Sequence, residues 1–201
     1  MRTPGWPAAL ADGPVAVRPL RYRDATAWSA VRERNADWLA PWEPLPRVPG
    51  VSPHGVAAFT AMARDLRGQA RRGQALPFVV TWNDRLVGQV TVGNVVRGPL
   101  NSGYVGYWVD ERVAGRGIMT TALALVIDHC FTMAVLHRIE ANIRPENTAS
   151  RRVVEKLGFR NEGVRLRYLE VDGAYRDHVS YALTVEDVPR GVWAQLGRRR
   201  R

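Results

Sequence analysis

The sequence is poor in the residue types that most often define a site by themselves. It has one cysteine, Cys130, which excludes an intramolecular disulfide and a cysteine-built zinc centre. Its four histidines, His54, His129, His137 and His178, are scattered without ligand spacing, so no metal is expected. Lysine is nearly absent: Lys156 stands alone among 29 basic residues, the rest being arginine. Long apolar runs are missing too. The longest, Ala122 to Ile127, stops at Asp128 and His129, far short of the roughly 20 residues a bilayer crossing needs. The opening residues, Met1 to Pro7, lack the apolar core and small-residue cleavage site of a secretory leader. The expectation is a cytoplasmic protein with no membrane partner.

What is present suits one folded domain over residues 1–201. With 201 residues, 46% hydrophobic and 24% charged, the chain can bury roughly 70% of its unfolded surface unaided. The net charge of +10 attracts anions: nucleic acid, a phosphorylated cofactor or a ribosome surface. The arginines are dispersed, and there is neither a continuous basic stripe nor an aromatic RNA-binding strand pair, so nucleic-acid contact is expected only as incidental. The basic tail, 197–201, reads either as a solvated end or as an anionic docking tag. The first twelve residues are a candidate disordered segment.

Along the chain, Val15 to Pro19 alternates as a short strand, and Asp24 stands where an N-cap belongs, before a helix over Ala25 to Arg34. The Trp- and Pro-dense stretch Asn35 to Pro44 and the Pro/Gly-rich residues up to Ser52 read as a loop. Ser52 with Pro53 behind it reads as a cap opening a helix to about Arg72. Strands follow at Leu76 to Trp82, Leu86 to Val95 and Tyr104 to Val109. From Gly117 onward, Met119, Leu123, Val126, Ile127, Cys130 and Phe131 recur at three and four, the pattern of a helix burying one face. Then come a strand at Arg138 to Ile143, a short helix opened by Asn147 and closed by Gly158, and a hairpin of Phe159 to Val171 and Ala174 to Leu183 turning at Asp172-Gly173. This order defines an α/β (α+β) domain with a mixed sheet.

Two segments stand out chemically. In Tyr107-Trp108-Val109-Asp110-Glu111-Arg112-Val113-Ala114-Gly115-Arg116-Gly117-Ile118-Met119-Thr120, a strand passes through a glycine turn into a long helix, whose unpaired first-turn amides can hold a pyrophosphate. It is not a dinucleotide fingerprint, lacking the third glycine, nor a Walker loop, lacking Gly-Lys-Ser/Thr. In Asn147-Thr148-Ala149-Ser150-Arg151-Arg152-Val153-Val154-Glu155-Lys156-Leu157-Gly158-Phe159, a short helix carries its own cap and stop. Singly, each also reads as an ordinary turn or helix.

Together, in this order, the two segments resemble the GNAT superfamily of acyl-CoA-dependent N-acetyltransferases over Val15 to Leu183. Within it, Asn35 to Pro44, Gly117-Ile118-Met119-Thr120, Asn142 to Ser150 and Tyr175-Arg176-Asp177-His178 resemble the RimJ/RimL branch, the ribosomal-protein N-terminal acetyltransferases. The resemblance implies a mixed, mostly antiparallel sheet of about six to seven strands flanked by about four helices. It implies acetyl-CoA as co-substrate, with Val109 offering backbone groups to the pantetheine arm and thioester carbonyl. The amides of Gly115, Arg116, Gly117, Ile118 and Met119 would hold the pyrophosphate, and Asn142 and Asn147 would contact the pantetheine region. Two positions depart from the family pattern, Ala114 and Met119, but backbone amides do most of the gripping.

Acetyl transfer to an amine needs a neutral nucleophile, a stabilised oxyanion and a proton for the departing thiolate. Cys130, on the apolar helix face, reads as core, so direct attack is expected. Where related enzymes carry a tyrosine acid this chain has Val154, and Ser150, one turn earlier, matches the serine of the RimJ/RimL branch as donor to the sulfur. For the base, Glu140 shares a strand face with Asn142. Glu170 beside Leu169, turned inward by a bulge, and a water relay are alternatives. Trp38, Trp42 and Glu43 either pin a loop or wall the acceptor groove, Glu43 attracting the acceptor's ammonium; Tyr168 and Tyr175 would line the other side. The acceptor is expected to be a protein N-terminal amine, Ala or Ser of a ribosomal protein. A small amine (polyamine, amino acid or aminoglycoside) and a non-catalytic acyl-CoA-sensing or RNA-binding module are the rivals. The protein is either a monomer or a homodimer.

Overall fold

The computed structural model describes residues 3–44 and 52–199. Eight strands form one sheet in the order β1-β2-β3-β4-β5-β6-β8-β7: β1 (Leu10–Asp12), β2 (Val15–Pro19), β3 (Leu76–Trp82), β4 (Arg85–Val96), β5 (Ser102–Val109), β6 (Arg138–Ile143), β7 (Arg160–Val171) and β8 (Ala174–Thr184). All pairs are antiparallel except β5 with β6. The helices among the described residues are α1 (Ala25–Arg34), α2 (Ala36–Leu39), α3 (Val56–Arg71), α4 (Ile118–Thr132), α5 (Thr148–Leu157) and α6 (Val192–Arg199). The sheet thus has one strand more than the upper expectation, and α2 and α6 are additional helices.

The sheet buries both faces. Against one lies α4, packed on Val17, Phe78, Val80, Val90, Ile139 and Tyr181. Against the other lie α1 and α3, where Trp28, Val31, Phe59 and Ala63 meet Val79 and Leu86. Alternation along each strand divides its residues between these two cores. The α4 helix buries far more than one face, from Ile118 through Cys130, because α6 covers the side its periodicity leaves open. Asp128 on α4 accepts the amides of Val192 at 2.6 Å and Trp193 at 3.0 Å, capping α6 from outside its own chain segment. That helix was hidden in the sequence by its arginine-rich end.

Several local expectations are corrected. The N-terminal segment is placed from Thr3 onward: its hydroxyl donates to the Ala70 carbonyl at 3.0 Å, Trp6 meets Phe78 edge-on at 5.2 Å, and β1 closes the sheet edge. Asp24 holds the N-cap position of α1 as expected, but its side chain makes no bond to the helix amides; its carboxylate takes Arg18 at 2.8 and 2.9 Å and the Arg21 amide, closing the 3-10 turn over Tyr22–Asp24. Burial pushes its pKa up, but the hydrogen bonds and charges of Arg18 and Arg21 together outweigh this and the net shift is down. Ala36 to Trp42 is helical rather than loop, forming α2 and a 3-10 turn that tolerates Pro41 in its first turn. The α3 helix starts at Val56 behind Gly55; Ser52 instead accepts the His54 amide at 3.3 Å in a turn. The remaining loop residues, 45–51, lie outside the described residues, as do positions 200 and 201 of the basic tail.

Candidate active site

The site begins where two parallel strands part. Pairing of β5 with β6 covers Ser102↔Arg138, Gly103↔Ile139 and Tyr104↔Glu140 and then ends, although β5 continues to Val109 and β6 to Ile143. Beyond Tyr104, β5 therefore turns unpaired backbone groups toward the gap, while β6 stays paired to β8. Unpaired strand groups are strong hydrogen-bonding sites. The gap opens into a cavity of about 840 Å³, within the range of small-molecule and cofactor sites.

One end of this cavity is backbone. Gly115 and Gly117 hold φ of +77° and +79°, a region side chains rarely adopt. A Cβ added at Gly115 would meet nothing within 4 Å, so its surface is open. Gly117 is the N-cap of α4 and has no side chain to occupy the first-turn amides. The amides of Gly115, Arg116, Gly117, Ile118 and Met119 make no hydrogen bond to the protein among the described residues. Free amides at a glycine-opened helix start are an arrangement that suits an anion. This amide cradle is fixed from below by Asn35, 1% exposed, which donates to the Asp110 carboxylate at 3.0 Å and accepts the Glu111 amide at 2.9 Å. Burial raises the Asp110 pKa, but Arg34 and Asn35 bind its anion and bring it net below the usual carboxylate value.

Val109, Gly115, Gly117, Ile118, Met119, Asn142, Asn147 and Ser150 all line the cavity. Arg116 does not; its guanidinium lies over the Trp82 ring at 5.5 Å, leaving only its amide to the cradle. Asn142 accepts from the Ser180 hydroxyl at 2.8 Å, and Asn147 accepts the Ser150 amide at 3.0 Å as cap of α5. Each thus keeps its amide nitrogen for another partner. The Ser150 hydroxyl donates to Tyr107 Oη at 2.8 Å, and Tyr107 donates to the Ser150 carbonyl at 3.0 Å. Burial pushes the Tyr107 phenol far above its ordinary value, so it stays protonated. Tyr107 sits in the first sequence segment but was not singled out, since only its packing under α5 shows its contact with Ser150.

The other end is made of side chains. Trp38, Trp42 and Glu43 line it together with Arg144, Glu146, Leu169 and His178. Glu43 is not a free anion: it pairs through both oxygens with Arg32, whose side chain is 2% exposed. Arg32 in turn lies over Trp28 at 5.4 Å and Trp108 at 5.1 Å. The Glu43 carboxylate is thereby committed to Arg32 and anchors the α2 segment, rather than standing as an unpaired anion in the cavity. Arg144 holds the same segment from across the cavity, donating to the Pro41 carbonyl at 2.6 Å and lying over Trp42 at 5.5 Å. The segment is therefore pinned, and its two tryptophans also line the cavity.

Glu140 is on the face of β6 that was expected, but it is not among the residues that line the cavity. It is 7% exposed and bonded to Arg138 at 2.8 Å and Arg165 at 3.4 Å. The expected irregularity in β7 exists, between Arg165 and Leu169, yet it points Leu169 into the cavity and leaves Glu170 exposed. Tyr168 packs behind the lining, edge-on to His178 at 5.8 Å, and Tyr175 is 64% exposed. Cys130 is fully buried in the core, where desolvation pushes its thiol up to about 12. No group of three or more potential metal ligands occurs among the described residues, and among them no helix is long and apolar enough to cross a membrane.

A strand gap beside a glycine-opened helix start frames the candidate site, and comparison with known proteins gives its class, an acetyltransferase. The acetyltransferase (GNAT) domain family matches residues 15–160, and the chain belongs to that family. It is a GNAT N-acetyltransferase of the RimJ/RimL type. The chain is 46% identical to Mycobacterium smegmatis RimJ solved in complex with CoA-disulfide, with a TM-score of 0.93, covering 100% of this chain and 98% of that one. It is 31% identical to the ribosomal-protein-S5-alanine acetyltransferase of Vibrio fischeri, TM-score 0.81, covering 88% and 96%. Over 85% of its length it is 35% identical to the [ribosomal protein uS5]-alanine N-acetyltransferase of Escherichia coli, 88% of which is covered.

Proposed function

We propose that this enzyme transfers the acetyl group of acetyl-CoA directly to the α-amine of a protein N-terminus, Ala or Ser of a ribosomal protein, in the cytoplasm. The observation that carries this reading is the continuity of the cavity. One volume joins an anion cradle of free amides to a separately walled chamber, so a phosphorylated donor and a chain end meet at the strand gap. The likeness to alanine acetyltransferases of uS5 supports the choice of acceptor. The net charge of +10 favours approach to an RNA-rich particle.

The residues present fit acetyl-CoA. Gly115 to Met119 take the pyrophosphate on their amides, Asn142 and Asn147 offer amide donors to the pantetheine arm, and Val109 presents backbone groups to the thioester. When bound, acetyl-CoA supplies an activated acyl carbon and a thiolate leaving group. The Ser150 hydroxyl, now directed at Tyr107, turns toward that sulfur and stabilises it. Tyr107 remains behind it as a fixed hydrogen-bond partner. The burial of Cys130 fits a reaction with no covalent enzyme intermediate.

The test is free-thiol release from acetyl-CoA with a lysine-free peptide beginning in free Ala or Ser, beside the same peptide blocked at its N-terminus. Release with the free peptide alone is expected. Equal release with both, or release only with small amines, overturns the proposed acceptor; CoA binding without release from any amine overturns catalysis.

A further inference from the structure

The carboxylates in and near the cavity are paired with arginines, remote from it or open to solvent. Glu140 is bound to Arg138 and Arg165 outside the cavity lining, Glu43 is bound to Arg32, Glu146 lines the cavity but is paired with Arg144 at 3.3 Å and open to solvent, and Glu170 is exposed. Among the lining residues, one group remains that exchanges a proton near neutral pH and has a free lone pair.

That group is His178, on β8, one residue past the register pair Ile143↔Val179 at the open end of β6. It lines the cavity and is 3% exposed. Its Nδ1 lies 3.0 Å from the Arg176 carbonyl. A carbonyl only accepts, so Nδ1 carries the ring hydrogen and Nε2, on the far side of the ring, keeps its lone pair. No hydrogen bond from the protein reaches Nε2 among the described residues. The ring is fixed in this pose by Tyr168, edge-on at 5.8 Å, whose hydroxyl accepts from Arg165 at 3.0 Å. The neighbouring strand β7 brings Arg165 directly opposite His178 in register.

We infer that Nε2 of His178 is the proton acceptor for the incoming amine. The inference rests on the acetyl-transfer reading above, though not on which amine is acetylated. At neutral pH an α-amine is mostly ammonium, its pKa being near ~8. His178 takes the extra proton from this ammonium and later releases it to solvent. The neutral nitrogen then attacks the acetyl carbon; the new C–N bond forms, the C–S bond breaks, and the second nitrogen proton ends on the departing sulfur.

The charges facing the ring leave it able to accept. Burial lowers the His178 pKa below its ordinary 6.5; the hydrogen bond to the Arg176 carbonyl raises it, Arg144 lowers it, and Glu146 and Asp177 raise it, with the net shift downward. Arg165 and Tyr168 face it from β7. The imidazole is therefore neutral at pH 7.

The experiment is the pH profile of kcat/KM for the acceptor in wild type and His178→Gln, with acetyl-CoA affinity measured on each. Wild type is expected to lose activity on the acid side only below about pH 6.5. The variant is expected to lose roughly 100-fold or more in kcat, to keep its acetyl-CoA affinity, and to show its acid limb near ~8, where the amine itself loses its proton. An unchanged kcat and an unchanged limb overturn the inference. Should His178→Gln fail to bind acetyl-CoA, His178→Asn, whose amide can replace Nδ1–H at the Arg176 carbonyl, gives the same readout. If wild type acetylates a small amine and no peptide, the N-terminal reading fails while the profile, run on that amine, still decides the role of His178. A wild type inactive on every amine refutes both.

Discussion

On the α4 side of the cavity the inward-facing groups are backbone amides, set by two glycines with φ of +77° and +79°. On the α2 and β8 side they are side chains held by partners far along the chain, as in Arg144 on Pro41, 103 residues apart. The difference teaches where each wall is vulnerable. An amide wall ignores most side-chain changes, and the two glycines keep their left-handed geometry beside the departures at Ala114 and Met119. A side-chain wall depends on each partner, and removing one leaves a buried group unpaired.

The comparison can be broken most sharply at the α2 anchor. Glu43→Ala strands the Arg32 guanidinium, whose side chain is 2% exposed, and is expected to cost about 3–5 kcal/mol of stability with a raised acceptor KM. Denaturant unfolding and acceptor kinetics check this; loss of acetyl-CoA affinity alone would mean the anchor serves the wrong wall. Asn35→Ala removes the bonds to Asp110 and the Glu111 amide and is expected to cost about 3 kcal/mol. Calorimetric binding should then show weakened acetyl-CoA affinity, because Asn35 supports the cradle.

A third variant strikes the amide wall itself. Gly117→Val forces a β-branched residue to φ of +79°, a strain of about 1–3 kcal/mol, equivalent to roughly 5- to 150-fold weaker acetyl-CoA binding if it falls on the cradle. Acceptor KM should hardly move. Ser150→Ala removes a donor to the thiolate, worth about 1.5–3 kcal/mol for a charged partner, so kcat should fall roughly 10- to 150-fold while both KM values stay; an unchanged kcat would leave Ser150 only as a partner of Tyr107.

The smallest effect is on stability against pH. His54 and His178 both have pKa values lowered from 6.5, first by burial. The unfolded chain then binds more protons than the folded one below that value, so their stabilisation is present above pH 6.5 and declines as pH falls toward their folded values. Asp24 and Asp110, net lowered from 3.8, add a second decline below that. Urea midpoints across this range should fall with acid, and His178→Gln should flatten the upper step.

The same contrast explains what could be read from the sequence. The strand and helix order, the glycine turn, the cap at Asn147 and the Asp172-Gly173 hairpin are local signals, and all appear in the fold. The glycine turn is legible in the sequence, but its reading as a pyrophosphate site comes from the family resemblance, since the segment alone also reads as an ordinary turn. Partners contributed from far along the chain were not legible: Asp128 capping α6, Arg32 pairing with Glu43, and Tyr107 meeting Ser150 each join segments that only packing brings together. Glu140 shows the limit of strand alternation, which placed it on the correct face but could not reveal the two arginines holding it.

The most direct measurement is tandem mass spectrometry of a peptide with a free N-terminal alanine and one internal lysine, after incubation with the enzyme and acetyl-CoA. The acetyl group is predicted on the α-amine alone. An acetyl group on the lysine side chain instead, or an unmodified peptide while a small amine is acetylated under the same conditions, would contradict the account.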